Sequence, residues 1–364
     1  MKKILISLFL AAWLVACSGN AESTSSVEGI SATLTAISDA QTQIAGMIQS
    51  LTPKPTTLPP LSATPLPSAA TVAPSAPVVT GAYLMAFHAC NAFTTNCNDP
   101  RNHQVYLVQS DDGQNWGLVP GWQPFPGSVP DVIRRGDTIY IYASGNLVRY
   151  HVSTNTADPP VRYEAPAMTT DPSLFVDEQG RLVIFFMHGM MGGDPAQCAP
   201  GEATCTKNFG SVTEVEGSDG ARFTVDEGQR VSITLGTVYR SASDPDIFTD
   251  GREYFLYISH GSSVTVWTSP ELRGTYKQLN VPPTGFFIQN SGGVPSAYYN
   301  PANGEFWSYT HVHQQIGMVI RRAVHKDFTM QLQENAWQTI ISGDGIGLGQ
   351  GVNVESPGFA VNAP

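Results

Sequence analysis

The stretch "TDPSLFVDEQGRLVIFFMHG" (Thr170–Gly189) decides the fold. It opens on an acid and a proline, runs through a short apolar segment, turns at a glycine and returns through an aromatic-rich run that ends near a histidine. That is a β-hairpin by its turn chemistry. Three further segments follow the same plan: "VPDVIRRGDTIYIYASG" from Val129, "SDPDIFTDGREYFLYISHG" from Ser243 and "GVPSAYYNPANGEFWSYTHV" from Gly293. A second, weaker hairpin follows each. Its turns read "SDDGQNW" from Ser110, "STNTADP" from Ser153, "SDGARF" from Ser218, "SPELRGTY" from Ser269 and "HKDFTM" from His325. Two hairpins make a four-stranded blade, and blades repeated around an axis make a propeller.

The turn series has five members, but only four first hairpins are complete. Ahead of "SDDGQNW" stand one inner strand, "GAYLMAFHA" (Gly81–Ala89), and the strand "HQVYLVQS" (His103–Ser110), so the innermost strand of that blade is missing. "ESPGFAV" (Glu355–Val361) matches "DPSLFV" and "DPDIFT" and supplies it. The sequence therefore predicts an all-β, five-bladed β-propeller over residues 81–364, its first blade closed by the C-terminal strand.

Ahead of the propeller the chain changes character twice. "MKKILISLFLAAWLVAC" (Met1–Cys17) has two lysines, an apolar run too short to span a membrane comfortably, then small residues before a cysteine. "LVAC" resembles the bacterial lipobox. That resemblance implies a lipoprotein signal peptide at 1–16, cleavage before Cys17 and lipidation of Cys17. The membrane would then be a partner through the lipid, with the domain on the extracytoplasmic side of the cell envelope. Val27, Ile30, Leu34, Ile37, Ile44, Ile48 and Leu51 form a helical stripe, so 17–51 reads as a lipidated N-terminus with a short helical stalk. Self-association through 27–51 is compatible with it. Residues 52–80 are rich in Pro, Thr and Ser and read as an extended spacer.

Composition narrows the partners. A net charge of -11 repels phosphate backbones, which excludes nucleic acid as an expected partner. Cys90 and Cys97, then Cys198 and Cys205, form two pairs in polar, turn-rich loops. Outside the cytoplasm such pairs read as disulfides; the crossed pairing stays open. The spacing does not suit a zinc knuckle.

In this topology the starts of the first strands and the ends of the second strands converge on one mouth. Asp131, Asp171, Asp244 and Glu355 fall at the starts, with Asp246 further in, and His88, His188, His260 and His311 at the ends. Trp122 and Phe286 lie in the links between blades. Crowded carboxylates raise one another's pKa, and a protonated acid beside an ionised one suits glycoside hydrolysis. Aromatic faces suit the C–H faces of sugars. Asp131, Asp246, His188, His260, His311, Trp122 and Phe286 are thus candidate substrate contacts.

With those residues laid out, the domain resembles the five-bladed glycoside hydrolases of families 43 and 32. The resemblance rests on the "DPSLFVDEQGRL" segment and on "IRRAVHKDF" (Ile320–Phe328), and it covers about residues 80–364. It implies a furanosidase-like enzyme with three mouth acids. Carried over by blade, these are Asp171, which would tune the pKa, and Glu355 and Asp244, as base and acid in either order. Asp and Glu are exchanged relative to the family at the last two positions.

Three readings follow. The first is a surface-anchored glycosidase acting on a poly- or oligosaccharide. The second is a non-catalytic glycan-binding or adhesion lipoprotein. The third is a metal-dependent hydrolase using His188, His260 and His311. Carbohydrate is the expected partner in the first two, and no cofactor is required there; a structural calcium near the axis is compatible with the acids.

Overall fold

The computed structural model describes residues 76–165, 169–188, 196–199, 201–236, 238–315 and 317–363. The expected signal peptide, the Cys17 anchor, the stalk and most of the spacer lie outside these residues. Among the described residues the regular structure is all strand, apart from two short 3-10 turns, Pro100–Asn102 and Glu334–Ala336.

The strands form five antiparallel sheets, each a blade with four strands in its main path. Blade 2 runs Asp131–Arg135, Thr138–Ala143, Asn146–His151 and Thr156–Ala157. Blade 3 runs Thr169–Val176, Leu182–His188, Cys205–Glu214 and Phe223–Val225. Blade 4 runs Ser243–Thr249, Tyr254–Ser259, Val264–Ser269 and Lys277–Gln278. Blade 5 runs Gly293–Asn300, Glu305–Gln314, Gly317–His325 and Trp337–Ile341. Blade 1 joins distant segments. Val352–Val361 pairs antiparallel with Tyr83–Asn91, with Tyr83 opposite Val361 and His88 opposite Glu355, and Gln104–Ser110 and Gly117–Leu118 complete it.

A propeller blade is buried on both faces, so its second strand reads as an unbroken apolar run. "LVIFFM" (Leu182–Met187) shows why. Val183, Phe185 and Met187 pack into the core shared with blade 4, beside Ile247 and Leu256. Leu182, Ile184 and Phe186 turn the other way, into the core shared with blade 2, beside Tyr140 and Tyr142. The period-2 alternation of a strand thus feeds two cores at once. Three more cores of the same kind fill the remaining joints. The cysteines pair within their loops, Cys90 with Cys97 and Cys198 with Cys205.

Candidate active site at the mouth of the ring

Every inner strand contains or directly follows one X-Pro step: Val129–Pro130, just ahead of Asp131–Arg135, and Asp171–Pro172, Asp244–Pro245, Val294–Pro295 and Ser356–Pro357 within their strands. The residue before each proline has a positive φ, at 47°, 52°, 44°, 45° and 55° in that order. Left-handed backbone is unusual for any non-glycine residue, and more so for valine or before proline. Its recurrence in all five blades makes it a property of the ring. All five prolines line one cavity of about 20 Å³, which is room for about one water. The axis is therefore constricted just inside the mouth.

The X-Pro step fixes the register and corrects the sequence alignment. Asp171 and Asp244 are equivalent, each preceding its proline. Asp131 and Asp246 are equivalent to one another, each following its proline, with Ser173, Ser296 and Gly358 in the same place. Glu355 stands two residues before its proline, where the other blades carry Ser128, Thr170, Ser243 and Gly293. The four acids taken as equivalent at the strand starts belong to three different tiers.

The tier after the proline is a girdle. Asp131 Oδ2 accepts from the Leu174 amide at 2.6 Å, Ser173 Oγ from Ile247 at 3.0 Å, Asp246 Oδ2 from Ala297 at 2.8 Å and Ser296 Oγ from Phe359 at 3.1 Å. Each side chain thus binds the backbone of the next blade. Gly358 has no side chain to give blade 2, and Asp131 accepts from its own Val132 amide with Oδ1 at 2.8 Å. A Cβ on Gly358 would overlap the Asp131 carboxylate and the Pro130 carbonyl. Asp131 and Asp246 are both buried. Burial pushes Asp131 up to about 7, and burial followed by the charge of Asp131 pushes Asp246 well above the usual carboxylate range. Expected as substrate contacts, these two acids instead hold the ring together.

The tier before the proline is bound from the preceding blade as well. The Val129 amide donates to His88 Nδ1 at 3.2 Å, Ser356 to His311 Nδ1 at 3.0 Å, Val294 to Ser259 Oγ at 3.4 Å and Asp244 to Asp171 Oδ2 at 3.4 Å. Asp171 and Asp244 are half-buried and line the axial cavity together. Asp244 Oδ2 also accepts from Ser243 Oγ at 2.5 Å.

Glu355 stands on the opposite side of the ring, on blade 1. Burial raises its pKa, against the opposing pull of His103, Asn353 and His313. His88 approaches it, Nε2 to Oε2 at 4.0 Å. Because His88 Nδ1 accepts from Val129, its Nε2 carries the proton in the neutral ring, and that buried atom has no hydrogen-bond partner. His103 stacks on His88 at 4.1 Å between ring centres and is held by Ser128 Oγ and the Cys97 carbonyl. Burial keeps His88 well below the usual histidine range and takes His311 down to about 4. Both are neutral at pH 7.

The remaining expected residues are spread around the rim. His188 is half-buried beside Phe186, 4.8 Å between rings. His260 has both nitrogens engaged, Nδ1 with the Ser241 carbonyl at 2.6 Å and Nε2 with Thr265 Oγ1 at 3.0 Å. Tyr239 stacks on it at 4.3 Å, and Phe286 meets both rings edge-on. Trp122 faces away from the acids: it packs against the core between blades 1 and 2, 6.4 Å from Phe125, and its Nε1 donates to the Val105 carbonyl at 3.4 Å. The three-histidine metal centre of the third reading is not formed among the described residues. Among the described residues the one cluster of three ligating side chains is Cys198, Glu202 and Cys205, and both of those cysteines are in a disulfide.

Sequence reasoning missed a cleft of about 670 Å³ beside Glu355, between the Cys90–Cys97 loop and the hairpin of blade 5. Its lining includes Phe93, His313, Asp344 and Asn353. The signal for Phe93 was present, since it is the one aromatic residue inside "CNAFTTNC".

No protein-family model matches this chain, and no curated protein matches it. Among solved structures it is similar to a xylan beta-1,4-xylosidase from Bacillus Halodurans C-125. There the identity is 17%, 74% of this chain and 54% of that chain are covered, and the TM-score is 0.45. This chain therefore spans about half the length of that protein. It is similar to an exo-1,5-alpha-L-arabinanase from a bovine ruminal metagenomic library, at 16% identity over 73% of this chain and 95% of that one, with a TM-score of 0.41. It is also similar to the GH43_1 enzyme from Xanthomonas citri complexed with xylose, at 13% identity over 70% and 88%, with a TM-score of 0.45. The five-bladed propeller itself follows from the strand pairing described above.

Proposed function

We propose that this chain is a glycoside hydrolase acting at the propeller mouth on an oligo- or polysaccharide, with furanosides as the preferred class. The observation that carries the reading is the pairing of unlike acids across the mouth. Glu355, on blade 1, is largely shielded from water and holds its proton more tightly than an ordinary glutamate, while Asp171 and Asp244 line the axial cavity from blades 3 and 4; the reading takes the two as partners across the mouth. In this reading Glu355 protonates the leaving oxygen as general acid, Asp244 is its counterpart base, and Asp171 tunes the charge of the pair. His88, fixed as the Nε2–H tautomer, orients Glu355 when the acid swings toward it.

The test is release of sugar from arabinan, fructan, xylan and galactan oligosaccharides by the full chain, beside Glu355→Gln and Asp171→Asn. Release by the parent and its loss in both variants, with thermal unfolding unchanged, supports the assignment. A glycan-binding protein without hydrolysis is the second reading. It is favoured by the structural use of Asp171, whose carboxylate accepts the Asp244 amide. Saturable binding with no product would select it.

The same proposal puts the domain on the outer side of a membrane, lipid-anchored through Cys17. Its supports are the lipobox-like "LVAC" and the two loop disulfides, which belong to an oxidising compartment.

A further inference from the structure

We infer that the cleft beside Glu355 is a subsite for a neutral sugar unit, with Phe93 as its stacking platform. The inference rests on the carbohydrate reading above and deepens it by naming where a second unit of the glycan sits.

Phe93 is 78% exposed, yet it is held firmly. Its amide donates to Asn91 Oδ1 at 2.9 Å, the Ala92 amide donates to the Gly351 carbonyl at 2.8 Å, and the loop is closed by the Cys90–Cys97 disulfide. Gly351 gives the ring its seat: a Cβ there would overlap three atoms of the phenyl ring. A large apolar face presented to water on a rigid loop loses nothing further in ordering when a ligand covers it. Aromatic faces of this kind take the C–H side of a sugar.

The rest of the cleft supplies what the sugar's hydroxyls need. His313, Asn353, Asp344 and Gln350 line it together with Met318. Among the described residues its lining has no lysine or arginine, which selects against phosphorylated ligands and uronic acids and in favour of neutral ones. About 670 Å³ holds one to three sugar rings. The cleft also leads to the proposed chemistry. Asn353, whose Oδ1 accepts from the Met318 amide at 3.1 Å, stands two residues before Glu355 on the same strand, and so on the same face. A glycan with one ring on Phe93 therefore extends toward the acid.

The experiment is calorimetric titration of the full chain carrying Glu355→Gln, so that sugars stay intact, with arabinotetraose, xylotetraose, galactotetraose and an inulin-type tetrasaccharide. Adding Phe93→Ala is expected to weaken binding of the preferred sugar about tenfold, and Phe93→Tyr to retain it. Because the ring is exposed, the thermal midpoint should not move. Equal affinity with Phe93→Ala, or no saturable binding of any of the four, overturns the inference. Sugar release by the parent is scored separately. Phe93-dependent binding without release retires the hydrolase assignment and leaves the subsite standing. Release with unchanged affinity in Phe93→Ala does the reverse.

Discussion

Asp131 shows what a single residue does in this ring. One carboxylate oxygen binds the next blade and the other binds its own chain, in the space that Gly358 leaves open. Gly358→Ala is expected to cost about 2–3 kcal/mol by overpacking, read from the denaturation midpoint. Proton linkage gives a second expectation. Folded Asp131 holds its proton up to about pH 7, whereas an unfolded aspartate releases it near 3.8, so this group's contribution falls as pH rises through that window. Half-buried His260, His311 and His325 act the other way. Their folded values are about 4 against 6.5, so stability falls as pH drops through that range. Unfolding free energy measured against pH should therefore peak at about pH 6–7. Asp131→Asn should flatten the alkaline side and steepen the acid side, on top of a loss of about 1–2 kcal/mol for the amide left unpaired. This tier was hard to read from the sequence. Asp171 and Asp131 both adjoin a proline, and a shift of one residue along a strand sends the side chain to the other face.

At the scale of the element, the first hairpins were legible because burial on both faces writes an unbroken apolar run between glycine turns. The outermost strands were not: Gly117–Leu118, Thr156–Ala157 and Lys277–Gln278 have two residues each, and so brief an edge carries no period to detect. Phe185 is fully buried where blade 3 meets blade 4. Phe185→Ala should cost about 3–5 kcal/mol in chemical denaturation. The Cys90–Cys97 loop closes over a separation of seven residues. Replacing both cysteines by serine should lower stability by about 2–3 kcal/mol. It should also loosen Phe93, so that the affinity of the cleft falls along with the melting temperature.

For the whole molecule, the repeat announced the ring and put Glu355 and His88 on one blade, but nothing in the sequence brought His103 and Asn353 to them. They come from both ends of the domain and meet only because Val352–Val361 lies beside Tyr83–Asn91. Deleting residues 352–364 should strip blade 1 of its inner strand and abolish cooperative unfolding, as followed by near-UV circular dichroism. At the other end, Cys17→Ser should shift the protein from the membrane fraction to the soluble fraction, if the lipid is what anchors it.

The two tiers at the mouth differ in one respect that matters for the ring as a closed band. Oxygen atoms from Asp131, Ser173, Asp246 and Ser296 fasten four joints in the tier after the proline, and oxygen keeps a lone pair in acid. Blade 1 is fastened to blade 2 by His88 Nδ1, since Gly358 offers nothing, and no other side-chain bond of either tier crosses that joint among the described residues. An imidazole that takes up a proton turns its acceptor into a donor and faces the Val129 amide with the wrong polarity. Like a bracelet, the band has one clasp, and it is the clasp that acid unfastens.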